Sequence, residues 1–138
     1  MSLELIVVTP QGEALSRPVE QVVLPGSEGE FGVLEKHENF LTSLRPGPVE
    51  IRSSDGGREW VAVSDGFAEV TAERVVVLVD ECLGIAEVDP EELRAERAEV
   101  EERIAGLGDD AEDGESRAAL ENRMARVSGY LEAHERSR

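Results

Sequence analysis

The sequence changes character at Asp89–Pro90, and this change limits the folds that the chain can adopt. Before it, short runs rich in Val, Leu and Ile are separated by turn residues, among them the hairpin signal Asp55-Gly56-Gly57. After it, apolar residues recur at helical spacing. We therefore predict an all-β sandwich or barrel up to about residue 87, followed by helices.

The predicted strands coincide with the apolar runs of the first part of the chain. They lie at residues 3–9, 19–24, 49–53, 60–63, 67–70 and 75–79. Only 4% of the residues are aromatic, so the core must be built from Val, Leu, Ile and Ala. Valine dominates this part of the chain, and valine favours strands.

Two helices are predicted after the change. Asp89 is placed to cap the first helix and Pro90 to occupy its first turn, and a second helix runs from about residue 115 to residue 134. The apolar stripes are Leu93, Val100, Ile104 and Leu107 on the first helix, and Leu120, Met124, Val127 and Leu131 on the second. Two helices joined by a loop form an antiparallel hairpin. Because each stripe has only four apolar residues, this hairpin needs support, either from the strands or from a partner.

Charge and composition exclude several kinds of partner. The formal net charge is −17, which argues against nucleic acid and against an anionic membrane surface. The longest uninterrupted aliphatic run, residues 75–79, is far shorter than the roughly 20 residues of a membrane span. The single cysteine, Cys82, fits a reducing compartment. We therefore expect a soluble, cytoplasmic protein that reaches a membrane only through a partner, without direct membrane insertion.

The most distinctive segment is glycine-rich and spans residues 25–47, PGSEGEFGVLEKHENFLTSLRPG. Its pattern is P-x-x-x-G-E-x-G-[VIL]-L, then a histidine, a short apolar run and L-x-P-G. Together with LIVVTPQG (residues 5–12) and SDGFAEV (residues 64–70), it resembles the epsilon subunit of the rotary F-type ATP synthase, the subunit called delta in mitochondria. Order, spacing and length agree over nearly the whole chain.

The resemblance implies an α+β fold, in which an N-terminal all-β sandwich of about ten short strands (residues 1–87) precedes a C-terminal antiparallel α-helical hairpin (residues 88–138). It implies a non-catalytic rotor subunit of the central stalk, whose sandwich binds the gamma subunit and the polar loops of the c-ring. Such a subunit lies on the inner, cytoplasmic face of an energy-transducing membrane, held there by the synthase. In many members the C-terminal helices also reach the catalytic beta subunits and suppress ATP hydrolysis.

Candidate partner-binding residues follow from the same match. Those near the c-ring and the foot of gamma in the family are Gly29, Glu30, Phe31, Gly32 and His37. Where family members often read P-G-H-A-P-L, this chain reads EKHENF from Glu35, so the shape of this loop stays open.

Three arginines on the second helix, Arg117, Arg123 and Arg126, have two interpretations. One is a solvated helix face with ion pairs to neighbouring acids. The other is a basic surface that docks on an acidic segment of the catalytic beta subunit, as similar helices do in inhibitory relatives.

No catalytic residue, cofactor or metal site is predicted. Some family members bind ATP through [IL]-D-x-x-R-A, but here Asp89 and Arg94 are five apart instead of three. His37 is a lone loop histidine, whereas a metal needs several convergent ligands. Acidic neighbours of Cys82 are expected to raise the pKa of its thiol and to make it a poor nucleophile. The rivals to a rotor subunit are a free-standing binding module with a helical appendage and an enzyme.

Overall fold

The fold is described by a computed structural model over residues 3–36, 38–107 and 114–138, of which residues 114–116 are described by their backbone alone. Within these residues the chain forms ten β-strands, one 3₁₀ turn (Ile85–Glu87) and two α-helices. The strands are β1 (Leu3–Thr9), β2 (Gly12–Val19), β3 (Gln21–Gly26), β4 (Gly29–Leu34), β5 (Phe40–Leu44), β6 (Gly47–Arg52), β7 (Arg58–Val63), β8 (Gly66–Val70), β9 (Arg74–Val79) and β10 (Cys82–Gly84). The helices are α1 (Pro90–Gly106) and α2 (Gly114–Arg136).

The strands, together called the β region, form one hydrogen-bonded sheet that folds back on itself. Its order is β10-β7-β6-β3-β5-β8-β9-β1-β2, and β4 pairs with β3 outside this path. β1 and β9 run parallel, and the other pairs are antiparallel. The two halves of the sheet are joined where Gly26 of β3 pairs with Leu44 of β5. An ion pair between Arg17 of β2 and Glu59 of β7 brings the opposite ends of the sheet together.

The space between the two halves is filled by aliphatic side chains. They are Leu3, Leu5, Val7, Val19, Val22, Leu24, Val33, Leu44, Val49, Ile51, Val61, Val63, Ala68, Val70, Val75, Val77 and Val79. Inward and outward residues alternate along β1, β8 and β9, as expected for packed sheet halves, whereas β6, which α2 covers, is buried along nearly its whole length. The predicted fold class, a β sandwich followed by a helical hairpin, is confirmed.

Four strands, β2, β4, β5 and β10, lie outside the ranges predicted from the apolar runs, and β2 is the longest of them. β2 covers Gly12–Val19, and the strand predicted at residues 19–24 begins only at Gln21. β2 lies at the edge of the sheet, and most of its side chains are exposed. Only Leu15 and Val19 of this strand reach the core, so its sequence lacks the apolar alternation that reveals a strand.

The first helix begins as its sequence predicts. The side-chain Oδ1 of Asp89 accepts hydrogen bonds from the backbone N–H groups of Glu91 (3.1 Å) and Glu92 (3.2 Å), and Pro90 is the first helical residue. These bonds satisfy donors that have no partner inside the helix. The predicted helix break at residues 108–113 lies outside the described residues.

The helical hairpin, α1 and α2, lies on the outer side of β6 and β7. A second apolar cluster holds it there, made of Ala62, Val88, Leu93, Val127, Tyr130, Leu131 and Ala133. The helix backbone approaches the strand closely, since a Cβ atom built on Gly129 would lie 2.3 Å from the carbonyl oxygen of Pro46. The support that the thin stripes require therefore comes from the β region. In the described part of the chain, neither helix has the length and apolar character needed to cross a membrane.

Candidate functional site

The β region has two outer faces with different surroundings. The outer face of β6 and β7 is covered by α2, whereas the outer face of β5, β8 and β9 presents exposed apolar side chains. Among the residues that the structure describes, polar contacts at three places hold the chain's own hairpin against the β region.

The central contact joins Glu81, which precedes β10, to α2. The Glu81 carboxylate accepts hydrogen bonds from Tyr130 Oη at 2.6 Å and from Arg126 Nη2 at 2.9 Å. The Arg126 guanidinium also lies 4.7 Å from the centre of the Tyr130 ring, within cation–π range. The buried Ser64 hydroxyl accepts hydrogen bonds from the backbone N–H of Glu81 (2.9 Å) and of Asp80 (3.0 Å), so it fixes the turn that presents this carboxylate.

Titration of Glu81 and Tyr130 reflects this contact. Burial raises the pKa of the Glu81 carboxyl, but hydrogen bonds from Tyr130 and Arg126 outweigh burial and hold the pKa below its usual 4.5. Burial, followed by the hydrogen bond to Glu81, raises the pKa of the Tyr130 hydroxyl well above 10.0. At neutral pH the carboxylate is therefore charged and the phenol is neutral, as their hydrogen bond requires.

Two further contacts lie toward the C-terminal end of α2. Arg45 Nη1 donates to Glu132 Oε1 at 3.1 Å. Arg136 forms an ion pair with Glu30 of β4, with Nη2 3.2 Å from Glu30 Oε1, and its guanidinium lies 5.0 Å from the centre of the Trp60 ring. Sequence reasoning missed these contacts because their partners are separated by up to 106 residues.

The three arginines predicted to form a basic surface on α2 are held by other parts of this chain where their partners are described. Arg123 Nη2 pairs with Glu96 Oε1 of α1 at 3.1 Å, and Arg126 pairs with Glu81. Arg117 is half-buried near the start of α2. In this folded-back hairpin, the guanidinium groups of Arg123 and Arg126 are occupied by intramolecular ion pairs.

The predicted partner-binding residues of the glycine-rich segment lie on β4. Gly29 has φ +143°, which an L-residue rarely adopts, and it follows the tight turn from β3. The Phe31 ring packs edge-on against Phe40 at 5.4 Å, and Glu30 is the partner of Arg136. Gly32 lies in the same strand, opposite Val23. His37 lies outside the described residues.

The loop that follows β4 has a turn that its sequence did not reveal. Lys36 adopts φ +66°, which among the described residues is the one positive φ outside glycine. Glycine adopts this conformation most readily, so the lysine that replaces the glycine of P-G-H-A-P-L occupies a turn that favours glycine. The backbone N–H of Lys36 donates to the carbonyl oxygen of Ala72 at 2.7 Å and ties the loop to the β8–β9 turn.

The second outer face is apolar. Phe67 and Leu78 are directly opposite each other on β8 and β9, and they are 54% and 47% exposed. Leu41 of β5 is opposite Glu69 and 67% exposed, so by strand alternation it lies on the same face. We call this surface the apolar face; it consists of Ile6, Val8, Leu41, Phe67, Val76 and Leu78. Sequence reasoning did not single it out, because exposed leucines resemble core leucines in a sequence.

Two residues considered for chemistry have structural surroundings instead. Burial, with a smaller contribution from Glu87, raises the pKa of the Cys82 thiol to about 11. This thiol is therefore a poor nucleophile at neutral pH. Asp89 of the off-register nucleotide motif is engaged in capping α1.

Comparison with known proteins places this geometry in a family. The family model "ATP synthase, Delta/Epsilon chain, beta-sandwich domain" matches residues 2–85. The ATP synthase epsilon chain of Desulforapulum autotrophicum is 37% identical over 124 residues, which are 90% of this chain and 92% of the relative.

Two solved structures share the fold. A chain of the Euglena gracilis mitochondrial ATP synthase (OSCP, F1 and c-ring, rotational state 1) has a TM-score of 0.82 at 24% identity, over 93% of this chain and 78% of that one. A chain of the Tetrahymena thermophila mitochondrial ATP synthase (central stalk and c-ring) has a TM-score of 0.64 at 19% identity, over 97% of both chains.

A β sandwich followed by a helical hairpin, matched in this way, defines the class as an accessory, non-catalytic subunit of a larger synthase. The chain belongs to the delta/epsilon chain family of the F-type ATP synthase.

Proposed function

We propose that this chain is the rotor subunit that joins the gamma subunit to the c-ring in the central stalk of its ATP synthase. The observation that carries the proposal is the apolar face. Large exposed apolar surfaces with a polar rim mark protein interfaces. Here the ion pair between Glu4 and Arg74 (3.8 Å) lies at the rim, and Glu69 lies within the face, between Leu41 and Val76. The chain's own hairpin covers the other outer face, so the apolar face is the surface that remains for a partner.

The gamma subunit is the partner that we assign to the apolar face. Phe67 is the aromatic side chain of this face and lies directly opposite Leu78, so we assign it as the aromatic anchor of the interface. The loops of the c-ring are assigned to β4, with Gly29, Glu30, Phe31 and Gly32, whereas the loop after β4, with His37, is assigned to the border between the c-ring and the gamma subunit. The match of this segment to the family, and the place of the Tetrahymena chain in a central stalk and c-ring structure, support this assignment.

The same proposal places the protein on the cytoplasmic side of the membrane, bound through the complex. It also divides the chain into a coupling domain (residues 1–87) and a regulatory domain (residues 88–138). The family match over residues 2–85 supports the first boundary.

Co-elution tests the assignment of gamma. The full-length chain is mixed with the gamma-containing catalytic head of the same organism and separated by size. We expect Phe67→Glu to weaken binding at least about tenfold, because it replaces the aromatic anchor of the apolar face by a charge. Ala98→Glu, which adds the same charge on an exposed position of α1, is the matched control. Equal binding of both variants and of the original chain would refute the apolar face as the gamma site.

We further propose that the C-terminal helices restrain ATP hydrolysis when the hairpin opens. Arg123 and Arg126 are paired with Glu96 and Glu81 in the closed hairpin, so they become available to an acidic segment of the beta subunit only after these pairs separate. Closing and inhibition thus compete for the same guanidinium groups.

Two variants of opposite sign test this competition. Glu81→Gln weakens the closed hairpin and leaves the arginines intact, so we expect stronger inhibition of hydrolysis by the reconstituted head. Changing Arg117, Arg123 and Arg126 together to Ala should relieve inhibition without loss of co-elution. Unchanged hydrolysis with the triple variant would refute the inhibitory role of these arginines.

A further inference from the structure

The backbone conformation of Lys36 is costly for this residue type. At φ +66° the Cβ atom of an L-residue crowds the following carbonyl oxygen, which glycine avoids. The hydrogen bond from the Lys36 N–H to Ala72 is made by the backbone and does not require a lysine side chain. Strained residues persist mainly at functional positions, so an explanation for Lys36 must be sought in its side chain.

The ammonium group of Lys36 is available to a partner. The side chain is exposed, and it makes no ion pair or hydrogen bond with any of the residues that the structure describes. Carboxylates lie nearby, since the surface cleft beside Lys36 is also lined by Glu4, Glu35 and Glu73. Of these, Glu4 pairs with Arg74. Lys36 is also the one lysine of a chain whose net charge is −17.

The position of the loop connects this cation to the apolar face. Along the chain, Lys36 lies between two exposed leucines, Leu34 (54% exposed) and Leu41 (67% exposed). Leu41 belongs to the apolar face, and the hydrogen bond to Ala72 holds the loop beside the β8–β9 turn. The cleft beside Lys36 is also lined by Glu4 and Arg74, the ion pair at the rim of that face. Lys36 therefore stands at the rim of the surface assigned to gamma.

We propose that Lys36 is a contact residue of this interface and that its ammonium group pairs with a carboxylate of the gamma subunit. The proposal rests on the proposed function, because it assumes that the apolar face binds gamma. A charge at the rim of an interface accelerates association and makes it depend on salt, more than it adds to affinity.

Three full-length variants test the proposal against the gamma-containing head, with binding kinetics measured at low and high salt. Lys36→Gly keeps the left-handed turn and removes the charge. We expect a melting temperature no lower than that of the original chain, a Kd about five- to tenfold higher at low salt, and slower association with a weaker salt dependence. Lys36→Arg keeps the charge and should bind like the original chain. Arg94→Gln removes an exposed charge from α1 and serves as the control, which should also bind like the original chain.

The outcomes separate the explanations. Weaker binding by Lys36→Gly with normal binding by Lys36→Arg and by the control supports the ion pair. Normal binding by Lys36→Gly overturns it, and equal losses for the Gly and Arg variants overturn a role of charge. A loss seen with detergent-solubilised c-ring, but not with the head, assigns Lys36 to another partner and overturns the proposal. If the original chain fails to bind the head, the proposed function itself fails, and this inference fails with it.

Discussion

Replacing Gly129 by Ala tests the close approach between α2 and β6. A Cβ atom at this position would lie 2.3 Å from the carbonyl oxygen of Pro46, 2.5 Å from its carbonyl carbon and 2.9 Å from the amide nitrogen of Gly47. These are backbone atoms, so no side-chain rotation can relieve the clash. Because ordinary contacts need roughly 3.5 Å, α2 must move away from β6 by about 1 Å.

The magnitude follows from two opposing effects. Overpacking of this kind costs about 1–3 kcal/mol of unfolding free energy. Alanine inside a helix is more favourable than glycine by about 1 kcal/mol. We therefore expect Gly129→Ala to destabilise the docked hairpin by about 0–2 kcal/mol, although helix propensity alone predicts stabilisation.

Gly106 of α1 provides a matched control. A Cβ atom there would meet no atom within 4 Å, so Gly106→Ala changes helix propensity without a clash. The difference in stability between the two variants removes the propensity effect and leaves the packing cost, about 1–3 kcal/mol.

Thermal unfolding and tryptophan fluorescence measure this difference. The sequence has one tryptophan, Trp60, and the Arg136 guanidinium of α2 lies 5.0 Å from the centre of its ring, so its emission reports whether the hairpin is docked. We expect a lower melting temperature and a red shift for Gly129→Ala, and neither change for Gly106→Ala. Equal stabilisation by both substitutions would refute the close approach.

Three further predictions concern the polar and titrating groups. Tyr130→Phe removes the 2.6 Å hydrogen bond to Glu81. We expect the free energy of unfolding in urea to fall by about 1–2 kcal/mol, a loss limited by the 39% exposure of the Glu81 carboxylate. An unchanged free energy would contradict this hydrogen bond. Folding lowers the pKa of Glu81 below its unperturbed value of 4.5. The ionised carboxylate therefore stabilises the folded state fully above pH 4.5, and this contribution disappears as the pH falls through the lowered pKa. Glu81→Gln should therefore remove part of the acid sensitivity of stability, which melting temperatures between pH 3 and pH 7 would measure, and an unchanged profile would count against this pair. With a thiol pKa of about 11 instead of 9.0, Cys82 should react with iodoacetamide at pH 8 about a hundredfold more slowly than in the urea-unfolded chain, and equal rates would exclude its burial.

The parts of the fold that the sequence predicted are those with a local signal. Asp55-Gly56-Gly57 forms the predicted hairpin turn, in which Gly56 has φ +88° and Asp55 Oδ1 accepts from the Gly57 N–H at 2.8 Å. Asp89 caps α1 because its side chain needs partners only two and three residues away. Such signals depend only on residues that are near in the sequence, so they can be recognised without the tertiary structure.

The parts that could not be predicted depend on distant contacts. The stripe predicted for α2 includes Leu120 and Met124, which are only half-buried, whereas Tyr130 and Ala133 are fully buried against the β region. Gly129 appears in the sequence as a weak helix residue, and only the position of Pro46 explains it. The ion pairs of Arg126 and Arg136 likewise join residues that no spacing rule relates.

Hydrogen exchange of the full-length chain, free and bound to the gamma-containing head, tests the central proposal most directly. We expect binding to slow exchange in β5, β8 and β9 and in the loop at Lys36, while exchange in β6 and β7 under α2 changes little. Protection confined to β6, β7 or α2, or no protection in β8 around Phe67, would contradict the assignment of gamma to the apolar face.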